Sequence, residues 1–88
     1  MRTGIIKISE VFIEEMGAKK VSQIFNEIGF VPLDIKWSPP FVGVAGVGIY
    51  MGLSDLFDYV AEGDVIPEYV LEVTEQKSKF KVKVKKNE

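Results

Sequence analysis

Residues 68–86 read EYVLEVTEQKSKFKVKVKK. Lysine holds every odd position from Lys77 to Lys85, and Phe80, Val82 and Val84 hold even positions between them. Such a stretch is either a basic arm that seeks a polyanion or one strand with a charged face. Pairing it with the preceding segment favours the strand. A β-hairpin (68–75/79–86) with Gln76-Lys77 at its tip sets Val73 against Phe80, Leu71 against Val82 and Tyr69 against Val84. A four-residue loop, Glu75 to Ser78, gives the same register. On the other face Glu72 meets Lys81, Glu68 meets Lys85, Thr74 meets Lys79 and Val70 meets Lys83. A slip of one residue would turn the charges onto the core. The apolar side supplies most of the stability and the charges help fix the register, since each cross-strand pair contributes only about 0.2–1 kcal/mol. Lysines along such a strand also protect an open sheet edge.

The charge along the whole chain has the same logic. Residues 1–76 carry five basic and twelve acidic side chains, whereas residues 77–88 carry six lysines and one glutamate. From Tyr50 to Gln76 there are seven acids and no base. Two neighbouring strands can satisfy each other with this split. The lysines left over for a polyanion are Lys77, Lys79, Lys83 and Lys86, joined by Lys36. Arg2 is the single arginine, and bidentate phosphate and guanine contacts favour arginine. Nucleic-acid binding through this candidate face is therefore the alternative reading, and it would be weak and salt-sensitive.

Upstream, TGIIKI (residues 3–8) is β-branched and reads as a strand. Ser9 is a candidate N-cap with Glu10 in the first turn. Phe12, Ile13 and Met16 then point one way around a helix, and Val21, Ile24, Phe25 and Ile28 point another. The break falls at Gly17. Either two helical pieces meet there, or the first strand runs longer through residues 10–16 and only the main helix (18–28) forms. Gly29 suits the residue after a helix end, with Phe30 folding back.

FVPLDIKWS (residues 30–38) alternates and reads as a half-buried strand, with Leu33, Ile35 and Trp37 on one face. Pro39-Pro40 ends it or marks an edge. In FVGVAGVGIYMG (residues 41–52) the alternation changes phase at Ala45-Gly46, which predicts a turn or a bulge there. SDLFDYVAEGD (residues 54–64) reads as a short second helix (54–61) capped by Ser54, with Leu56, Phe57 and Val60 or Ala61 on its apolar side. The order β-α-β-β-α-β-β makes a small α+β single domain (1–88) with a mixed or antiparallel sheet of 4–5 strands. Its connectivity is like the split β-α-β sandwich.

Composition narrows the chemistry. The 88 residues are 47% hydrophobic and contain neither cysteine nor histidine. Disulfides, thiolate metal sites and cysteine nucleophiles are excluded, as are the commonest general base and metal ligand. The N-terminal stretch lacks a signal-peptide h-region, and the 13-residue run FVGVAGVGIYMGL (41–53) is shorter than the roughly 20 residues of a membrane-spanning helix. A cytoplasmic protein with no membrane contact and no cofactor is expected. Catalytic, metal and cofactor residues are assigned to none of the positions.

Three other features invite binding. The glycines from Gly43 to Gly52 resemble a phosphate loop in composition but lack its spacing, lysine and hydroxyl. A small-ligand or enzyme pocket beside this segment is a second alternative. Asp55, Asp58, Glu62 and Asp64 lack calcium-loop spacing and read as a solvated acidic face. Trp37, Pro39, Pro40 and Phe41 form a candidate protein-binding patch, extended by Tyr50 and Met51, because stiff aromatic surface suits interface centres. The competing reading buries Trp37 as a cap on the core. The expectation that follows is a non-catalytic interaction module for a protein partner of unknown identity. Self-association into a homo-oligomer would suit so small a core.

Overall fold

A computed structural model describes residues 1–77 and 79–87. Its elements, in chain order, are β1 (Thr3–Ser9), α1 (Glu10–Met16), α2 (Ala18–Glu27), β2 (Val31–Ser38), β3 (Val47–Leu53), β4 (Glu68–Gln76) and β5 (Lys79–Lys86). The strands form one sheet in the order β2-β3-β1-β4-β5. The α+β class is as the sequence suggests.

Both helices follow from local chemistry. The Ser9 hydroxyl accepts a hydrogen bond from the Phe12 amide at 3.2 Å, capping α1. Gly17, at φ 83° and ψ 154°, breaks the helix between the two apolar stripes. Two helical pieces meet there, so residues 10–16 are helix. At the far end of α2 the Phe30 amide donates to the Phe25 carbonyl and the Gly29 amide to that of Asn26. This is a Schellman closure, with the Phe25 and Phe30 rings 5.0 Å apart as its apolar contact.

β1, the helix pair and β2 form a split β-α-β unit. β3 lies between the two strands and is antiparallel to both. The expected second half does not form. Residues 54–61 are turns and bends rather than a helix. β3 ends opposite Thr3, and β4 starts beside Ile5, on the other side of β1. The chain thus has only two strand spacings to cover, about 10 Å, at one end of the sheet. No crossover helix is needed. Instead Phe57 plugs that end of the core at 0% exposure. It stacks on Tyr69 at 4.3 Å and lies 5.8 Å from Phe30. The Arg2 guanidinium donates to the Phe57 carbonyl at 2.7 Å, and the Asp58 amide donates to the Tyr69 hydroxyl at 2.9 Å. The buried Ser54 hydroxyl donates to the Ile28 carbonyl at 2.7 Å and accepts from the Leu56 amide.

The core lies between the helices and one face of the sheet. Ile6, Ile8, Val21, Phe25, Ile28, Phe30, Phe57 and Tyr69 form it, with Leu71, Val82 and Val84 packed alongside. Glycines at 4, 48 and 52 make room for aromatic rings on this face: Tyr69 and Phe57 at Gly4, Tyr50 at Gly48 and Phe30 at Gly52. At Gly52 an added Cβ would overlap the Val31 carbonyl oxygen and press on the Phe30 ring. β2 contributes nothing to the core, and every one of its residues is exposed. The half-buried strand expected there is corrected to a bare edge. The reason is the sheet order, because the helices pack mainly over β1 and β5, whereas β2 lies at the opposite margin.

The C-terminal hairpin forms, and Phe80 is 8% exposed. Its register differs from the expected one by two residues. Val73 faces Val82, Leu71 faces Val84, Glu75 faces Phe80 and Gln76 faces Lys79. A two-residue slide keeps each side chain on its own face, so the apolar match survives at Val73–Val82 and Leu71–Val84, whereas Phe80 now faces Glu75 and Tyr69 faces Lys86. Lys77 takes a left-handed φ of 45°. Ser78, placed in the loop by the four-residue alternative, lies outside the described residues.

Candidate functional site

Taking the lysine face first, the slide in register rewrites the expected ion pairs. Glu72 lies opposite Lys83, and its carboxylate meets the Lys85 ammonium diagonally at 2.7 Å. Glu68 binds Lys7 of β1 at 3.1 Å rather than Lys85. Glu75 reaches Lys20 of α2 at 3.6 Å. The hydrogen bond from Lys85, with its positive charge, holds the Glu72 carboxyl below the usual carboxylate range. The four proposed polyanion lysines do not form one surface. Lys79 and Lys83 share the outward face of β5 with Lys81 and Lys85. Lys86 has the opposite parity and binds Asp58 at 3.2 Å. Lys77 lies at the hairpin tip, and Lys36 lies on β2 at the other edge of the sheet.

The glycine segment changes meaning too. The tight turn is not at Ala45-Gly46 but three residues earlier. Phe41 and Val44 exchange both backbone hydrogen bonds, at 2.8 and 2.9 Å, around Val42 and Gly43. Gly46 instead accepts the Glu10 amide at 2.8 Å, tying the loop to the start of α1. Among the described residues no helix follows β3, so the glycine segment leads into no helix N-terminus that could hold an anion. A half-open cleft lies elsewhere, between β1, β4 and the helices. It is a cleft of about 250 Å³ bordered by Ile6, Ile8, Phe12, Val21, Leu71 and Val73. It exists because β1 and β4 pair only at Ile5–Glu68 and Ile6–Tyr69 and then diverge. Its charged rim, Lys7 and Glu68, is already an ion pair. The sequence signal for this cleft is absent, since strand divergence leaves no mark on alternation.

The aromatic-proline patch is the feature the fold exposes. Trp37 is 50% exposed and does not cap the core. Its ring edge and Pro40 meet around Gly46, where a Cβ would come within 3.0 Å of Trp37 Cζ2 and 3.3 Å of Pro40 Cδ. Pro39 is exposed beside them, and Phe41 stands in the turn. Tyr50 and Met51 do not extend the patch as expected. Tyr50 packs edge-on to Phe25 at 5.2 Å, and Met51 points to the other sheet face. What does extend it is β2. Ile35 and Trp37 lie across from Tyr50 and Gly48, on the helix side of the sheet but beyond the helices. Leu33 is the extra residue at a bulge between Pro32 and Asp34. Asp34 and Lys36 lie on the opposite face, across from Met51 and Ile49.

Residues 31–44 thus present an apolar edge and an apolar tip, with Ile35 60% and Val42 92% exposed. Among the described residues no helix is long and apolar enough to cross a membrane. No protein-family model, curated protein or solved structure matches the chain significantly.

Proposed function

We propose that this chain is a non-catalytic binding module that engages protein through β2 and the turn that follows it. The carrying observation is the run of exposed apolar side chains Leu33, Ile35, Trp37, Phe41, Val42 and Val44 along one edge and its tip. Burying such a contiguous patch is favourable, and isolated patches of this kind mark interaction surfaces. An extended edge also offers its backbone hydrogen bonds to an added strand. The test is retention from a nuclease-treated extract of the native host on the immobilised chain. A protein held by the wild type, lost with Ile35→Glu and kept with Lys79→Ala/Lys83→Ala supports the reading. Retention indifferent to Ile35→Glu, or dependent on nucleic acid, contradicts it.

The polyanion reading keeps one observation in its favour. Lys79, Lys81 and Lys83 make no ion pair among the described residues. Their row has no arginine, and the strand beside it carries Glu72, so binding there would be non-specific and lost at moderate salt.

A further inference from the structure

Resting on that reading of β2 as a binding edge, we propose that its occupant is β2 of a second copy. The two strands pair antiparallel about a two-fold axis through Ile35.

The two edges of the sheet differ in charge pattern. Among the described residues only β2 and β5 have a free side. β5 carries lysine at 79, 81, 83 and 85 on one face, so any symmetric self-pairing that keeps faces aligned sets lysine against lysine. Such an edge repels its own copy. β2 carries the reverse pattern, LDIKW from Leu33 to Trp37. With the axis at Ile35, Asp34 faces Lys36 of the second copy, and Lys36 faces Asp34 of the second copy. On the other face Ile35 meets Ile35. Both faces of the joint are then complementary at once, as an isologous contact requires.

Charge also separates this register from its two nearest alternatives. Moving the axis one residue toward the C-terminus puts Lys36 on Lys36. Moving it one residue toward the N-terminus puts Asp34 on Asp34. Both alternatives place like charges directly across the ladder, which is destabilising. Asp34 and Lys36 have no ion-pair partner within this chain among the described residues, so both are available. Pairing covers the Ile35 and Trp37 side chains that the helices leave bare, and it converts two five-stranded sheets into one of ten strands. The bulge at Leu33 and the prolines at 39 and 40 bound the contact to a short segment. The interface is therefore small, and a dissociation constant on the order of micromolar or weaker is expected.

The experiment uses the purified chain alone. Sedimentation equilibrium from about 10 µM to about 1 mM spans the expected range. Circular dichroism checks each variant for the wild-type fold. Lys36→Asp should weaken dimerisation about tenfold or more, because two attractive pairs become repulsive. The double swap Asp34→Lys/Lys36→Asp restores opposite charges in the same register and should recover most of the affinity. The chain has no cysteine, so Ile35→Cys is a clean probe of the axis. Facing Cβ atoms on a strand pair lie roughly 4.5–5.5 Å apart, close to what a disulfide spans. Under mild oxidation Ile35→Cys should cross-link much faster than Val42→Cys, whose position at the turn is more exposed but off the axis.

A strict monomer throughout the range overturns the proposal. So does a double swap as weak as Lys36→Asp, or cross-linking at 35 no faster than at 42. A monomer whose foreign partner depends on Ile35 overturns self-pairing and leaves the binding module standing. A dimer with no foreign partner dependent on Ile35 supports self-pairing and removes the foreign-partner reading.

Discussion

Phe57 and Leu56 are adjacent in sequence and would share the apolar side of a helix over residues 54–61. In the fold they part company. Phe57 is fully buried, and Leu56 is 59% exposed. Replacing each by alanine therefore separates a plugged loop from an amphipathic helix. The Phe57 ring is held between Tyr69 at 4.3 Å and Phe30 at 5.8 Å. These neighbours are anchored in a strand and a helix closure and have little room to collapse into a void. Phe57→Ala should cost about 3–5 kcal/mol, the range for an aromatic removed from a rigid core. The aromatic stacking lost with it is worth about 0.5–1.5 kcal/mol of that. A domain of this length has a total stability of about 4–13 kcal/mol, so the variant should lose a large share of it and melt well below the wild type. Leu56→Ala should change stability by less than about 0.5 kcal/mol, as surface substitutions do. Urea denaturation followed by circular dichroism measures both. Comparable losses at the two positions, or a Phe57→Ala cost below about 1 kcal/mol, would refute the plug and favour a helical segment with two buried residues.

Other sites give independent checks. Gly52→Ala forces a Cβ against the Val31 carbonyl oxygen; it should cost about 1–3 kcal/mol and loosen β2 selectively, seen as faster amide exchange in residues 31–38. Ser54→Ala removes the donor to the Ile28 carbonyl and should destabilise by about 1–3 kcal/mol in the same urea assay, since a buried acceptor loses its partner. Glu72 titrates below the usual carboxylate range because Lys85 hydrogen-bonds and attracts its ionised form. Its contribution is complete above the ordinary carboxylate pKa and disappears as pH falls through the lowered value in the fold. The melting-temperature gap between wild type and Glu72→Gln should therefore be small at pH 7 and close on acidification.

Much of this fold is legible in the residues because local chemistry decides it. The Ser9 cap, the break at Gly17 and the Gly29-Phe30 closure each depend on neighbours within a few positions. The hairpin face is equally readable, since alternation separates Phe80, Val82 and Val84 from the lysines. Its register is not, because a slide of two residues leaves every face unchanged. The segment after Ser54 misleads for a different reason. Its apolar spacing suits a helix, but the antiparallel run of β3 and β4 on either side of β1 asks only for a short bridge. Likewise Leu33, Ile35 and Trp37 alternate as a half-buried strand does. Whether anything covers them depends on strand order, which places β2 beyond the helices. The candidate binding patch was thus visible as a set of residues, whereas its exposure and its continuation along β2 came only with topology.

The most direct test of β2 as the contact edge is amide hydrogen exchange of the purified chain at increasing concentration. Protection should grow with concentration in residues 34–38 and stay constant along β5. Protection that ignores concentration in residues 34–38, or that rises along β5 instead, would contradict the pairing of β2 with its own copy.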